Sequence, residues 1–165
     1  MDVSAAPPAA PEVGAFRDVY ASQFAPLVRL AYVTTGSMPA AEDVVQDVFA
    51  EAYRRFDQID VPVAYLRRAV VSRCISWRRR GALERRHEQT AAGWLADGVT
   101  LGPDATAIRT ALLRLSARQR AAVFLRYYLG LPEAEIAQTL QCRPGTVKSL
   151  LSRALVALRE QLGDD

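Results

Sequence analysis

The stretch 143–160, RPGTVKSLLSRALVALRE, decides how the rest of the chain is read. Apolar residues stand at Val147, Leu150, Leu151, Ala154, Leu155 and Leu158, the i, i+3, i+4, i+7 spacing of one buried helical stripe. The face left over carries Lys148, Ser149, Ser152 and Arg153: two cations, two small hydroxyls and no acid. Surface helices commonly carry lysine and arginine, so this face takes its meaning from what precedes it. Pro132 opens PEAEIAQTL, a short helix, and Gln141 to Arg143 make a tight turn into the longer one. A short helix, a turn and a longer helix with a basic face form the helix-turn-helix arrangement, whose second helix enters the major groove of duplex DNA. That groove, roughly 12 Å wide, admits one helix, which needs small or hydrogen-bonding residues toward base edges and cations toward phosphates. Arg126, on the helix before, is a further candidate contact.

Outward from this pair, Ser116 and Gln119 stand at capping-box spacing. The helix they open is expected to bury Ala121, Phe124, Leu125 and Tyr128 and to end at Gly130. Ile108, Ala111, Leu112 and Leu115 predict one more short amphipathic helix. Between residues 88 and 104 the segment EQTAAGWLADGVTLGPD holds three glycines and a proline and loses periodicity, which marks a linker. Before it, Phe16, Val19, Tyr20, Phe24, Leu27, Leu30 and Ala31 approximate a helical stripe that Pro26 should kink or break, because proline removes a donor and clashes with the preceding turn. Gly36, Ser37 and Pro39 mark a turn into a helix from about residue 40 to 56. Pro62 suits the first turn of another that runs to about residue 80 and places Leu66, Ala69, Val70, Cys74 and Trp77 inward. The reading is an all-α chain of two small helical domains joined by a flexible linker, the C-terminal one a four-helix helix-turn-helix domain. Its parts are a disordered tail (1–13), a first domain (14–87), the linker (88–104) and a second domain (105–165).

Half of the 165 residues are apolar and 24% are charged, an ordinary globular composition. The net charge of +3 is mild, but its distribution is not. Six acids against two arginines fall between Glu42 and Asp60, whereas eight arginines and one acid fall between Arg67 and Arg86. On one helix Arg67, Arg68 and Arg73 precede Arg78, Arg79 and Arg80; eleven residues of helix span roughly 16 Å, enough to bridge several phosphates. Tyr65, and Trp77 if it is less buried than its position suggests, would offer a ring on which an unpaired base could stack, the combination a single-strand site uses. The preceding helix presents Asp43, Gln46, Asp47 and Glu51, which would repel phosphate and therefore suit a protein partner.

The sequence has no Walker loop and no paired metal-binding acids, and its one histidine, His87, lies in a charged context, so an enzyme is not expected and no cofactor is implied. Cys74 and Cys142 lack metal-ligand spacing and read as small buried thiols. Neither a membrane span nor a signal peptide is legible, which places the chain in the cytoplasm with no membrane contact of its own.

AEDVVQDVFAEAYRRF, then VPVAYLRRAVVSRCISWRRR, a linker, and LSARQRAAVFLRYYLGLPEAEIAQTLQCRPGTVKSLLSRALVALRE together resemble the extracytoplasmic-function sigma factors of bacterial RNA polymerase. The resemblance spans about residues 14 to 162. It implies that Asp43, Gln46, Asp47 and Glu51 dock on the β′ coiled coil of core polymerase. Tyr65 and Arg67, Arg68, Arg73, Arg78, Arg79 and Arg80, with the loop 59–64, would read and hold the opened −10 element as single-stranded DNA. Arg126, Lys148, Ser149, Ser152 and Arg153 would read the −35 element as duplex. It also implies an anti-sigma factor as an inhibitory partner. Tyr65 and Leu150 stand where many relatives carry Trp and Arg, which bears on promoter preference. A stand-alone helix-turn-helix regulator remains the alternative; the acidic helix coupled to the arginine helix is the feature such a regulator does not need.

Overall fold

The computed structural model describes residues 13–84 and 103–163. The tail through residue 12, most of the expected linker and His87 lie outside the described residues. No strand occurs among the described residues. The first unit consists of α1 (Val13–Thr35), α2 (Met38–Arg54), a 3₁₀ turn (Phe56–Gln58) and α3 (Pro62–Glu84). The second consists of α4 (Pro103–Arg114), α5 (Ala117–Val123) continued by a π-helical turn (Phe124–Tyr128), α6 (Glu133–Leu140) and α7 (Pro144–Leu162).

Of the kink or break expected at Pro26, the break does not occur: α1 runs through it. Proline costs a helix one hydrogen bond and a local clash. Here Leu27, Leu30 and Ala31 immediately after it are buried against the core, and that burial, about 1.5–3 kcal/mol for a leucine, offsets the loss. The last two residues of α1, Thr34 and Thr35, are fully buried and polar. Thr34 and Thr35 satisfy their hydroxyls by donating to the carbonyls of Leu30 and Ala31 at 2.7 and 2.8 Å. Gly36, at φ 81°, then turns the chain in a conformation that glycine adopts without strain. Ser37 caps α2 by accepting from the Ala40 amide. α2 is sharply two-sided, with Val44, Val45, Val48, Phe49 and Ala52 buried. It ends two residues earlier than expected, and Phe56 falls in the 3₁₀ turn. Phe16, Tyr20, Phe24, Phe49, Tyr53 and Phe56 form a ring-to-ring cluster, with centroids 4.8 to 6.3 Å apart, that closes α1 on α2. From α3, Leu66, Val70, Val71 and Cys74 enter the core. Trp77, expected inward, is only half-buried. Burial pushes the Cys74 thiol up to about 12, so it packs as a small neutral group.

In the second unit the capping box of Ser116 and Gln119 forms as its spacing predicts, with bonds of 3.2 and 2.9 Å. Tyr128 corrects the expected stripe, because it is 56% exposed. The Leu129 amide donates to the Phe124 carbonyl, an i to i−5 bond that inserts one residue into the turn and rotates Tyr128 out of the core. Leu129 turns inward instead, and the Tyr128 ring stacks on Phe124 at 4.5 Å. Gln141, at φ 51°, makes the tight turn between α6 and α7.

The two units are packed against each other, α5 and α6 lying on α1 and α3, with one contiguous apolar cluster running through both. Arg120 sits at this seam, fully buried. Its guanidinium donates to the carbonyls of Leu113 and Leu115 at the end of α4, at 3.1 and 2.8 Å, and to Thr34 at the end of α1, at 2.7 Å. A cation between two helix C-termini meets the negative end of both dipoles, which compensates a buried charge that has no carboxylate partner among the described residues. Burial, with the nearby Arg78 cation, lowers its pKa to about 10, so it stays charged at neutral pH.

Candidate nucleic-acid interface

The C-terminal surface is built by α6 and α7. Val147, Leu151 and Ala154 are buried, so α7 is fixed in rotation by its apolar stripe. Lys148, Ser149, Ser152 and Arg153 are consequently all exposed. The Ser149 hydroxyl donates back to the Gly145 carbonyl at 3.1 Å. Lys148 stands 3.9 Å from Glu133 across the helix pair, a solvent-exposed contact that a phosphate can displace at little cost. Arg126 is exposed on the π turn and donates to the Leu131 carbonyl. Arg143, the N-cap of α7, and Thr146 in its first turn, both exposed, were missed by the sequence reading. The signal was there: Pro144 fixes the helix start, and the N-terminal residues of such a helix lie nearest the base edges.

The arginine helix divides in a way its sequence does not reveal. Arg68, Arg79 and Arg80 are exposed. Arg73, placed among the strand-holding arginines, lies instead against the acids of α2: it pairs with Glu51 in a short contact and stands 4.0 Å from Asp47. The cause is the packing of α2 on α3, which sets this position of α3 beside the polar side of α2. Asp43, Gln46 and Asp47 are exposed, whereas Glu51 is half-buried and shared between Arg73 and Arg55. Arg78 donates to the Thr35 carbonyl at 3.3 Å, capping α1 beside Arg120. Arg67 pairs with Glu135 of α6 at 3.8 Å, and its side chain is 16% exposed.

Between the 3₁₀ turn, the start of α3 and α6 lies a cleft of about 730 Å³. Arg55, Gln58, Asp60, Tyr65, Arg67 and Arg68 are among its walls on one side, and Glu135, Gln138 and Thr139 form the other. The half-buried Tyr65 ring lies under the Arg55 guanidinium at 5.1 Å, and its hydroxyl accepts from Arg55. That hydrogen bond raises the Arg55 pKa above its ordinary value and holds the aromatic ring in place. A ring, a cation over it and amide and carboxylate groups beside it can stack an unpaired base and bond its edge. Arg55 and Gln58 were also missed; Arg55 stands ten positions before Tyr65 and meets it only because the chain turns between α2 and α3. Among the described residues no cluster of histidine, cysteine and acids could hold a metal. No helix among them is long and apolar enough to cross a membrane.

Family models match both units: sigma-70 region 2 over residues 20–84 and sigma-70 region 4 over residues 105–158. The RNA polymerase sigma-E factor of Streptomyces coelicolor is 35% identical over 126 residues, 74% of this chain and 71% of that protein. The ECF RNA polymerase sigma factors SigM and SigL of Mycobacterium tuberculosis are 32% and 34% identical. Those matches cover 90% and 92% of this chain and 78% and 90% of the relatives. Among solved structures, the sigma factor RpoE in complex with the anti-sigma factor NepR from Bartonella quintana superposes with a TM-score of 0.76 at 28% identity, covering 91% of this chain and 98% of that one. CnrH in complex with the cytosolic domain of CnrY shares the fold, with a TM-score of 0.67 at 22% identity over 92% of this chain and 90% of that one.

Proposed function

The chain belongs to the extracytoplasmic-function sigma factors of the sigma-70 family and is an RNA polymerase sigma factor that directs promoter-specific initiation; from that premise we propose how its surfaces divide the work. A stand-alone regulator has no use for a region 2, so that alternative is set aside. Asp43, Gln46 and Asp47 on α2, with Glu51 positioned by Arg73, form the face that docks on the β′ coiled coil of core polymerase. α7 enters the major groove at the −35 element with Arg143, Thr146, Lys148, Ser149, Ser152 and Arg153, and Arg126 adds a backbone contact. The cleft beneath Tyr65 and Arg55 takes a base from the opened −10 strand, whose phosphates run along Arg67, Arg68, Arg79 and Arg80. The proposed boundary between the two domains falls in the segment 88–104.

No hydrolysis is needed for strand opening. Stacking and bonding an unpaired base is worth about 1–3 kcal/mol, against about 1.4 kcal/mol for each duplex step lost. A few captured bases therefore offset a short melted region. The chain acts in the cytoplasm, and an anti-sigma factor, as in the RpoE–NepR complex, is its proposed inhibitory partner.

The observation that carries this division is the acid-free, exposed face of α7 opposite the buried Val147, Leu151 and Ala154. The test is run-off transcription and promoter binding by reconstituted holoenzyme carrying Lys148→Ala with Arg153→Ala. Each phosphate contact contributes about one unit to the slope of log affinity against log salt. The double variant is expected to weaken promoter binding and to flatten that slope by about two units. An unchanged slope would remove α7 from the DNA interface.

A further inference from the structure

We propose that Arg55 is a positioning residue for strand opening: tethered to the Tyr65 hydroxyl, it fixes the ring on which an unpaired base stacks, and it holds no phosphate itself. This role rests on the cleft beneath Tyr65 being the −10 site, as proposed above, and assigns a task there to a cation that the sequence reading passed over.

The backbone of Arg55 is fixed before its side chain reaches the ring. As the C-cap of α2 it donates its amide to the Ala52 carbonyl at 3.2 Å, and its own carbonyl accepts from the Gln58 amide at 3.0 Å. It is therefore anchored between α2 and the 3₁₀ turn. Tyr65 is anchored from the other side, in the first turn of α3, where its amide donates to the Val61 carbonyl at 3.0 Å. What the backbone leaves free is the tyrosine side chain, a half-buried ring that turns about two torsions. Arg55 removes that freedom. Its terminal nitrogen donates to the hydroxyl at 2.5 Å, and its guanidinium carbon lies 5.1 Å from the ring centroid. One side chain thus holds the ring at its rim and over its face.

The partners of this guanidinium lie within the protein. Glu51 stands 3.8 Å away, an exposed ion pair that contributes little, and the Tyr65 hydroxyl is the closer acceptor. The Tyr65 bond is also the leading cause of the raised Arg55 pKa. A strand phosphate would have to displace both acceptors, whereas Arg68 is exposed on the same wall of the cleft. Ordering a side chain at the moment of capture weakens binding, and a tether made beforehand removes that cost. Arg55 therefore acts on DNA through Tyr65. Phenylalanine at position 65 would keep the stacking face and lose the tether.

The test is a double-mutant cycle in reconstituted holoenzyme, with Arg55→Ala, Tyr65→Phe and the two combined, on a promoter that the wild type opens. A fluorescent base analogue in the −10 segment reports the opening rate. Binding to a template already melted across that segment, at several salt concentrations, reports phosphate contacts. Arg55 is exposed and Tyr65→Phe keeps the ring, so both variants retain the core. Each is expected to slow opening about fivefold, and the combination no further than either alone, because all three lack the same bond. Arg55→Lys keeps a cationic donor and should recover most of the rate with Tyr65 present and none of it with phenylalanine there. The salt slope should match wild type in every variant, since only a lost phosphate contact lowers it by about one unit. Losses that multiply in the combination, a slope lowered by one unit in Arg55→Ala, or wild-type opening by either single variant overturns the proposal. Failure of the underlying reading has its own signature: Tyr65→Ala, which removes the ring altogether, would then open the promoter at the wild-type rate.

Discussion

Replacing Arg120 by methionine tests whether a lone buried cation ties the two units together. Methionine keeps the aliphatic stem but ends where the arginine Nε sits, so the change removes the charge and the donors and leaves the space of the terminal guanidinium unfilled. Three carbonyls, of Leu113, Leu115 and Thr34, lose their donor at once. At about 2 kcal/mol for each buried acceptor left unsatisfied, the loss comes to about 6 kcal/mol. Removing the cation recovers part of it, since the effective penalty for burying an ion is several kcal/mol and its repulsion from Arg78 also vanishes. With about half recovered, Arg120→Met should destabilise the chain by about 3 kcal/mol, a fall in Tm of about 6–12 °C for a chain of this size. Thermal unfolding followed by circular dichroism and by calorimetry at neutral pH measures it. Because one of the three bonds crosses the seam, the variant should also unfold in two resolved steps where the wild type unfolds in one. A Tm within about 2 °C of wild type, with a single transition, would refute the reasoning that the seam depends on this guanidinium.

The Lys148→Ala, Arg153→Ala pair is read by its salt slope. Ser116→Ala removes one half of the capping box and should cost about 1 kcal/mol, measured by urea unfolding, with DNA contacts untouched. Cys74 gives a pH dependence of defined sign. Its thiol titrates near 12 in the folded chain against 9.0 when unfolded, so the folded state retains the proton and stability falls as the pH rises above 9. Relative to Cys74→Ala, the wild type should lose about 1.4 kcal/mol between pH 8 and 10, because a tenfold change in one protonation equilibrium corresponds to about 1.36 kcal/mol. A constant difference across that range would mean that the thiol reaches water. It should also resist thiol reagents until the chain unfolds.

Much of the molecule was legible in its sequence, because the features concerned are set by neighbours three or four residues away. The stripe of α7 fixed which of its residues face solvent, and Ser116 with Gln119 announced a cap that forms at that position. The segregation of acids on α2 from arginines on α3 was likewise plain from spacing alone. The errors fall where distant packing overrides a local rule. Pro26 stays within a helix because the residues after it are buried, and Tyr128 leaves the stripe because a π turn shifts the register. Arg73 looked like one more strand-facing cation, yet the return of α3 over α2 sets it against Glu51.

The sequence by itself determined the helices, their exposed faces and the family to which they belong, since each depends on periodicity, capping and motif order along one segment. Only the tertiary structure decided which cations stay exposed and which are paired, that the cleft beside Tyr65 has a wall supplied by α6, and that Arg120 joins the ends of α1 and α4. Those facts join residues as many as 86 positions apart, and no local pattern encodes the meeting of a guanidinium with a carbonyl at that separation.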